Sequence, residues 1–241
     1  MSWPVAVIPV FNERPTARDI AERALRQVAH VIMVDDGSTD GTAATLEGLP
    51  VTLIRNPRNL GKAASLWRGI AVALADGAGA VVTLDGDGQH RPEDIPRLLE
   101  VHRRDPAALV IGARLQNAAG IPAERYYANR FANFWIAWAA GQRVEDSQSG
   151  FRVYPARLLL GLPPQLRRAA SFVFESEVLI EAGRRGTRLE WVPIPAIYEA
   201  QGRPSHFRPV LDVALITRMV AWKLLSRGLY LRGLVRSLRG A

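Results

Sequence analysis

The chain has 241 residues, 48% of them hydrophobic and 22% charged, which allows one sizeable core with or without a terminal extension. It has no cysteine, which excludes disulfides and thiolate-metal sites and fits a cytoplasmic protein. The net charge is +8, but eight Lys or Arg against the single acid Asp212 fall from Ala200 onward; the remainder is near neutral, and the basic end suggests a membrane surface, a phosphate-bearing substrate or nucleic acid as partner.

The first apolar run, Pro4 to Phe11, has no basic segment before it, which argues against a signal peptide. Val5–Val10 reads as a buried strand and Pro15–Ala29 as a helix with Pro15 in its first turn. Val31–Val34 is a second strand and Thr42–Leu49 a short helix; Val51–Ile54 is a third strand, followed by a helix over Lys62–Ala75. Ala80–Leu84 is a fourth strand, Pro92–Arg104 a helix and Leu109–Gly112 a fifth strand. This alternation implies βαβ units in a mostly parallel sheet, whose ligands bind at the carboxyl ends of the strands. After Gly112 the rhythm changes. An aromatic-rich helix is expected over Pro122–Ala140, a strand over Gly150–Tyr154, a helix over Phe172–Arg185 and a Pro-interrupted extended stretch over Leu189–Ile197. An apolar helix over Val210–Ser226 and a short basic helix over Tyr230–Arg239 end the chain. No stretch approaches the ~18 apolar residues of a membrane span, so a soluble or peripheral protein is expected.

Four polar clusters follow the first four strands. Asp85-Gly86-Asp87-Gly88-Gln89-His90 puts two carboxylates within reach of one hard cation, and its glycines let the backbone approach a diphosphate. Taken alone, the same residues make a common surface turn. Asp35-Asp36-Gly37-Ser38-Thr39-Asp40 follows the second strand, where Ser38, Thr39 or Asp40 is free to cap the next helix and leave Asp35 and Asp36 for a ligand. Pro9-Val10-Phe11-Asn12-Glu13 ends the first strand, and Asn59-Leu60-Gly61-Lys62 opens a helix, where an N-terminus and a lysine attract phosphate. Phe131, Phe134, Trp135 and Trp138 have helical spacing and read as a packed face, while His90 reads as structural.

In this order the four clusters, with Asp146 to Tyr154, resemble the family 2 glycosyltransferases, and within them the dolichyl- or polyprenyl-phosphate mannosyl- and glucosyltransferases. The resemblance implies an α/β GT-A (Rossmann-like) sheet flanked by helices over residues 1–209, with a basic amphipathic helical extension over 210–241. It implies an inverting hexosyl transfer from a GDP- or UDP-linked sugar to a polyprenyl-phosphate or other lipid-linked acceptor. Pro9, Phe11 and Glu13 would line the nucleoside, with Asp36 on the base or ribose and Lys62 and Gly86 near the phosphates. Asp85, Asp87 and Gln89 would surround Mg²⁺ or Mn²⁺ and the diphosphate, and Arg114 would face the phosphates. Arg125 opens the family's Arg-x3-Ser element, where Asn129 replaces Ser; Arg203 and Ser205 fall where the family has a mobile basic loop. Those four are the expected acceptor contacts. Asp146 would act as general base toward a hydroxyl acceptor, but only position groups if the acceptor is a phosphate, which is already an anion. A lipid-linked acceptor implies a peripheral protein on the inner, cytoplasmic face of an anionic membrane.

Four other readings remain open on the residues. The nearest is a glycosyltransferase acting on a glycan or glycolipid hydroxyl with Asp146 as base, which gains from Asn129 and from Asp146. A nucleotidyltransferase would want a Gly-rich basic loop after the first strand, where Phe11-Asn12-Glu13 stands. A non-catalytic nucleotide-sugar-binding module would not need the intact acidic pair. A nucleic-acid binder would need a reading motif in the basic tail, which has none.

Overall fold

The computed structural model describes residues 3–114, 123–163, 166, 173–197 and 209–239. The described elements are β1 (Pro4–Val10), α1 (Ala17–Leu25), β2 (His30–Asp35), α2 (Thr42–Thr45), β3 (Thr52–Arg55), α3 (Lys62–Ala75), β4 (Ala80–Thr83), α4 (Ile95–Arg104), β5 (Leu109–Ala113), α5 (Ala123–Ala140), β6 (Arg152–Pro155), α6 (Ala156–Gly161), α7 (Val173–Arg184), β7 (Leu189–Pro193), α8 (Pro209–Leu225) and α9 (Leu231–Arg239). The strands form one seven-stranded sheet in the order β3-β2-β1-β4-β6-β5-β7. All neighbouring pairs are parallel except those of β6, which runs antiparallel to β4 and β5.

Strand side chains alternate between the two faces of the sheet, and each face has its own helical layer. Val5 and Val7 of β1 pack with Leu66 and Ile70 of α3, Ile136 of α5, Val178 and Leu179 of α7 and Ile216 and Val220 of α8. Ala6, Ile8 and Val10 point the other way, into Ile20 and Ala24 of α1 and Ile95 and Leu98 of α4. Each fully buried aliphatic side chain here contributes about 1.5–3 kcal/mol, which holds three layers together. Gly69 lets α3 lie close on the sheet, since a Cβ there would stand 2.5 Å from Val7 Cγ1 and 2.9 Å from Val34 Cγ2.

Several helices differ in extent from the sequence expectation. α1 begins only after a turn in which the Glu13 carbonyl accepts from Thr16 N and Ala17 N, and it unwinds where Gln27 N and Val28 N both turn back to Ala24 O. α2 stops at Thr45, with Gly48 at φ 78° closing the following turns. The apolar face of α8 is packed: Ile216, Val220 and Leu224 are buried in the main core. The aromatic row of α5 is divided, because Trp135 and Trp138 stack against the core while Phe131 and Phe134 stay exposed.

Candidate active site

Parallel β1, β2, β3 and β4 deliver their carboxyl ends to one sheet edge, and the reversed β6 begins at that same edge. Thr83 of β4 is paired with Arg152 of β6, as is Ile111 of β5. The segments after β1, β2, β4 and β5 therefore meet the segment before β6, which brings the expected clusters together.

Several short bonds tie the loops to one another. Asn12, at φ 56°, donates its amide to Ser38 Oγ, and its Oδ1 accepts from Thr39 N, so the ends of β1 and β2 are stitched. Pro9 is buried in β1, and Phe11 and Glu13 are half-buried beyond it. Gly86 sits so close to β1 that a Cβ would stand 2.4 Å from Val10 Cγ1 and 3.1 Å from Pro9 O, and its carbonyl accepts from Thr16 Oγ1 at 2.7 Å. Asp36 is buried, and its oxygens accept from Asn56 Nδ2, Leu60 N and Gly61 N at 2.7–2.9 Å. It thus fixes the turn that starts α3 and sets Lys62 in place.

Lys62 Nζ lies 2.6 Å from Asp85 Oδ1 and 3.1 Å from Glu175 Oε1 at the start of α7. Burial alone would lower the lysine's pKa, but the two carboxylates reverse that and raise it. Burial likewise works against ionised Asp85, yet Lys62 and the other cations nearby hold it down at about 2. Asp87, on the exposed side of the loop, accepts from Gln89 N at 2.9 Å. Its carboxyl is pushed up to about 6 by desolvation and by the Asp85 charge. Gly150 packs against this group, where a Cβ would lie 3.0 Å from both Asp85 Oδ2 and Lys62 Nζ. His90 is buried beside Phe151, its Nδ1 accepts from Asp85 N, and burial pushes its pKa down to about 4, so the ring is neutral at pH 7.

Asp146 is fully buried and saturated. Oδ2 accepts from Arg114 N at 3.1 Å and Nε at 2.9 Å, and Oδ1 accepts from Arg114 Nη2 at 3.1 Å and Gln148 N at 3.2 Å. Burial opposes its charge, but Arg114 outweighs burial and lowers the pKa. Three residues with no expected role of their own brace this segment. Asn133 of α5 donates to Glu145 O at 2.6 Å and accepts from Ser147 N at 2.9 Å. Buried Arg152 donates to the carbonyls of Ser147, Ser149 and Glu175, joining the segment to α7. Glu175 is the third; its sequence signal was its place on the otherwise apolar stripe Val178, Leu179 and Ala182.

Among the described residues no group of three His, Cys, Asp or Glu is placed to hold a metal ion. Asp85 and Asp87 nonetheless suit Mg²⁺ or Mn²⁺, which bind through one or two carboxylates and take remaining ligands from substrate phosphates and water. The Lys62 ammonium against Asp85 marks that oxygen as a cation position. Asn129 is half-buried on α5, Arg125 lies in that helix's first turns with its side chain outside the described set, and Arg203 and Ser205 lie outside the described residues.

A family model described as glycosyl transferase family 2 matches residues 5–160, more than half of the chain. The chain is 30% identical over 239 residues to the UDP-N-acetylglucosamine–dolichyl-phosphate N-acetylglucosaminyltransferase of Methanococcus voltae, a match covering 90% of this chain and 95% of that relative. It is 29% identical over 202 residues to the polyprenol monophosphomannose synthase of Mycolicibacterium smegmatis, covering 79% and 76%. The glucosyl-3-phosphoglycerate synthase of Mycobacterium tuberculosis, solved in complex with Mn²⁺, UDP and glucosyl-3-phosphoglycerate, has the same fold. Its TM-score is 0.64 at 23% identity, over 94% of this chain and 80% of that one. The mostly parallel sheet, its flanking helices and the C-terminal helices are the GT-A arrangement.

Proposed function

The chain belongs to glycosyl transferase family 2, and we propose that it moves a hexose from a GDP- or UDP-linked donor to a polyprenyl-phosphate or other lipid-linked acceptor, inverting the anomeric carbon. The saturation of Asp146 carries the acceptor class. A hydroxyl acceptor needs a base to take its proton, whereas a phosphate is already an anion. Asp146 accepts four hydrogen bonds and is held ionised by Arg114, so its lone pairs are engaged in orienting the guanidinium. The relatives named as a dolichyl-phosphate N-acetylglucosaminyltransferase and a polyprenol monophosphomannose synthase support the same class.

In this reading Pro9, Phe11 and Glu13 line the nucleoside pocket, and Asp36 serves it by fixing the turn that presents Lys62. Gly86 brings the loop backbone close to the diphosphate. Asp85, Asp87 and Gln89 would hold Mg²⁺ or Mn²⁺, which would neutralise the diphosphate. Lys62, tethered to Glu175, faces the departing phosphates. Arg114 aims its guanidinium at phosphate oxygens, and Arg125, Asn129, Arg203 and Ser205 contact the acceptor. An acceptor phosphate oxygen bonds to the anomeric carbon on the face opposite the diphosphate, which leaves with the electron pair of the broken bond. The acceptor's chain lies in a bilayer, so the protein works peripherally at the inner, cytoplasmic membrane surface; among the described residues no helix is long and apolar enough to cross it.

The test supplies GDP- and UDP-hexoses, with and without Mn²⁺, to a short-chain polyprenyl phosphate and to the matching alcohol. Transfer to the phosphate alone, with inverted linkage, is the expected result. Transfer to the alcohol and not to the phosphate overturns the reading and returns Asp146 to the base role.

A further inference from the structure

The large apolar side chains left exposed are concentrated on the C-terminal helices. On α9, Leu231 is 63% exposed, Val235 45% and Leu238 69%, and at the end of α8 Trp222 and Leu225 are exposed as well. With about 100° per residue, α9 has three faces. Gly233 and Ser237 form a buried face of small residues against α5. Leu231, Val235 and Leu238 form an apolar stripe turned away from the protein. Arg232, Arg236 and Arg239 form the third face, also exposed. An ordinary surface helix rolls its leucines inward; this one leaves only Leu234 half-buried and turns Leu231 and Leu238 out.

The orientation is fixed by packing. A Cβ on Gly233 would stand 2.1 Å from Tyr230 Cε1 and 2.9 Å from Trp138 O, so no larger residue fits at the α5 contact. Trp138 Nε1 donates to Tyr230 O at 3.3 Å. The turn before α9 holds two consecutive non-glycine residues in the left-handed region, Leu229 at φ 63° and Tyr230 at φ 46°. Such a backbone persists only where its surroundings over-determine it.

We propose that α9, with the adjoining end of α8, is a membrane-docking face that seats the protein on an anionic bilayer; its use, though not the docking itself, rests on the lipid-linked acceptor read above. The stripe enters the interface and the three arginines snorkel to the headgroups, with exposed Trp222 of the adjoining helix suited to the same interface. Charge chooses the occupant. Residues 213–241 contain five Arg and one Lys and no acid, and Lys223 is already paired with Glu177. A second copy of the chain would bring like charges together across this face.

The experiment uses the full chain and phosphatidylcholine–phosphatidylglycerol vesicles free of any polyprenyl lipid. Wild type co-sediments at low salt and is released as salt screens the headgroups. Replacing Leu231, Val235 and Leu238 together by Ser lowers partition by about 30-fold or more. Replacing Arg232, Arg236 and Arg239 by Ser lowers it roughly a hundredfold on anionic vesicles. The native chain has no cysteine, so Leu238→Cys takes a single polarity-sensitive dye and keeps the test alive if the triple variants misfold. Its emission shifts blue on vesicles if the stripe inserts. Absent binding by wild type, or an unshifted dye, overturns the proposal. So does a wild-type dimer that the Ser stripe dissociates while vesicle binding is unchanged. Transfer to a soluble short-chain acceptor is read separately: transfer without vesicle binding sinks the docking face alone, and binding without transfer leaves it standing.

Discussion

Replacing Asp146 by Asn separates the two roles a carboxylate can play beside Arg114. The shape is conserved, but the charge is lost and one oxygen becomes an NH₂ group. Each oxygen accepts two hydrogen bonds, so whichever one changes, two bonds become donor-against-donor contacts. Two lost bonds to a charged partner, and the loss of the carboxylate that pairs directly with a guanidinium at a 13% exposed position, cost about 3 kcal/mol. For a chain of this size that lowers Tm by about 6–12 °C. The sign with pH follows from the lowered pKa. Its contribution is fully present above the ordinary carboxylate value near ~4 and is lost as pH falls through the folded value. The variant's melting temperature therefore approaches that of wild type as the medium is acidified below that value. Because Asp146 acts through Arg114, the double variant with Arg114→Ala transfers no more slowly to a polyprenyl phosphate than Arg114→Ala alone. Scanning calorimetry across pH and steady-state kinetics on the three variants check this. A variant that melts with wild type while kcat falls by about 10³ or more makes Asp146 a base and refutes the reasoning.

Asp87→Asn removes one of the two carboxylates proposed to hold the cation and abolishes transfer with an unchanged melting curve; full activity in the variant, or in excess EDTA, excludes a metal-dependent mechanism. Glu175→Gln frees Lys62 from its second carboxylate, so the donor KM rises several-fold with little change in Tm, and Glu175→Asp recovers part of it. An equal loss of stability in both variants would mean that Glu175 only packs α7. Gly150→Ala puts a methyl 3.0 Å from Asp85 Oδ2 and Lys62 Nζ, which lowers kcat/KM about tenfold or more while the fold tolerates it. Wild-type kinetics in Gly150→Ala would show that the Lys62–Asp85 pair does not need its present place.

The first four strands were legible because each is a short apolar run closed by polar turn residues, with glycine and acids after the second and fourth, and Lys62–Ala75 because its period is unbroken. The reversal of β6 was not, since Arg152–Pro155 carries the same alternation in either direction. α6 went unread because six residues show no helical period. At the site, Asp85 and Asp87 announce themselves by spacing, but their partners do not. Glu175 meets Lys62 across more than a hundred residues of chain, and the Asn133 contacts with Glu145 and Ser147 depend on how α5 crosses the sheet. The aromatic row of α5 misled because equal spacing cannot tell Trp135, which packs, from Phe131, which does not.

α5 is where the proposed chemistry and the proposed docking face become one device. Its buried side carries Asn133, which holds the segment bearing Asp146, and through it the guanidinium of Arg114. Its far end is gripped by α9 through Trp138 and Gly233, and its exposed side carries Phe131. Asn129 precedes Asn133 by four residues, about one turn or 6 Å along the axis, so an acceptor contact there shares a rigid rod with the site and with the docking helix. A lipid-linked phosphate cannot travel far from its bilayer. In the proposed reading, α5 fixes the height of the docking face relative to Arg114 and ties acceptor delivery to how α9 is seated.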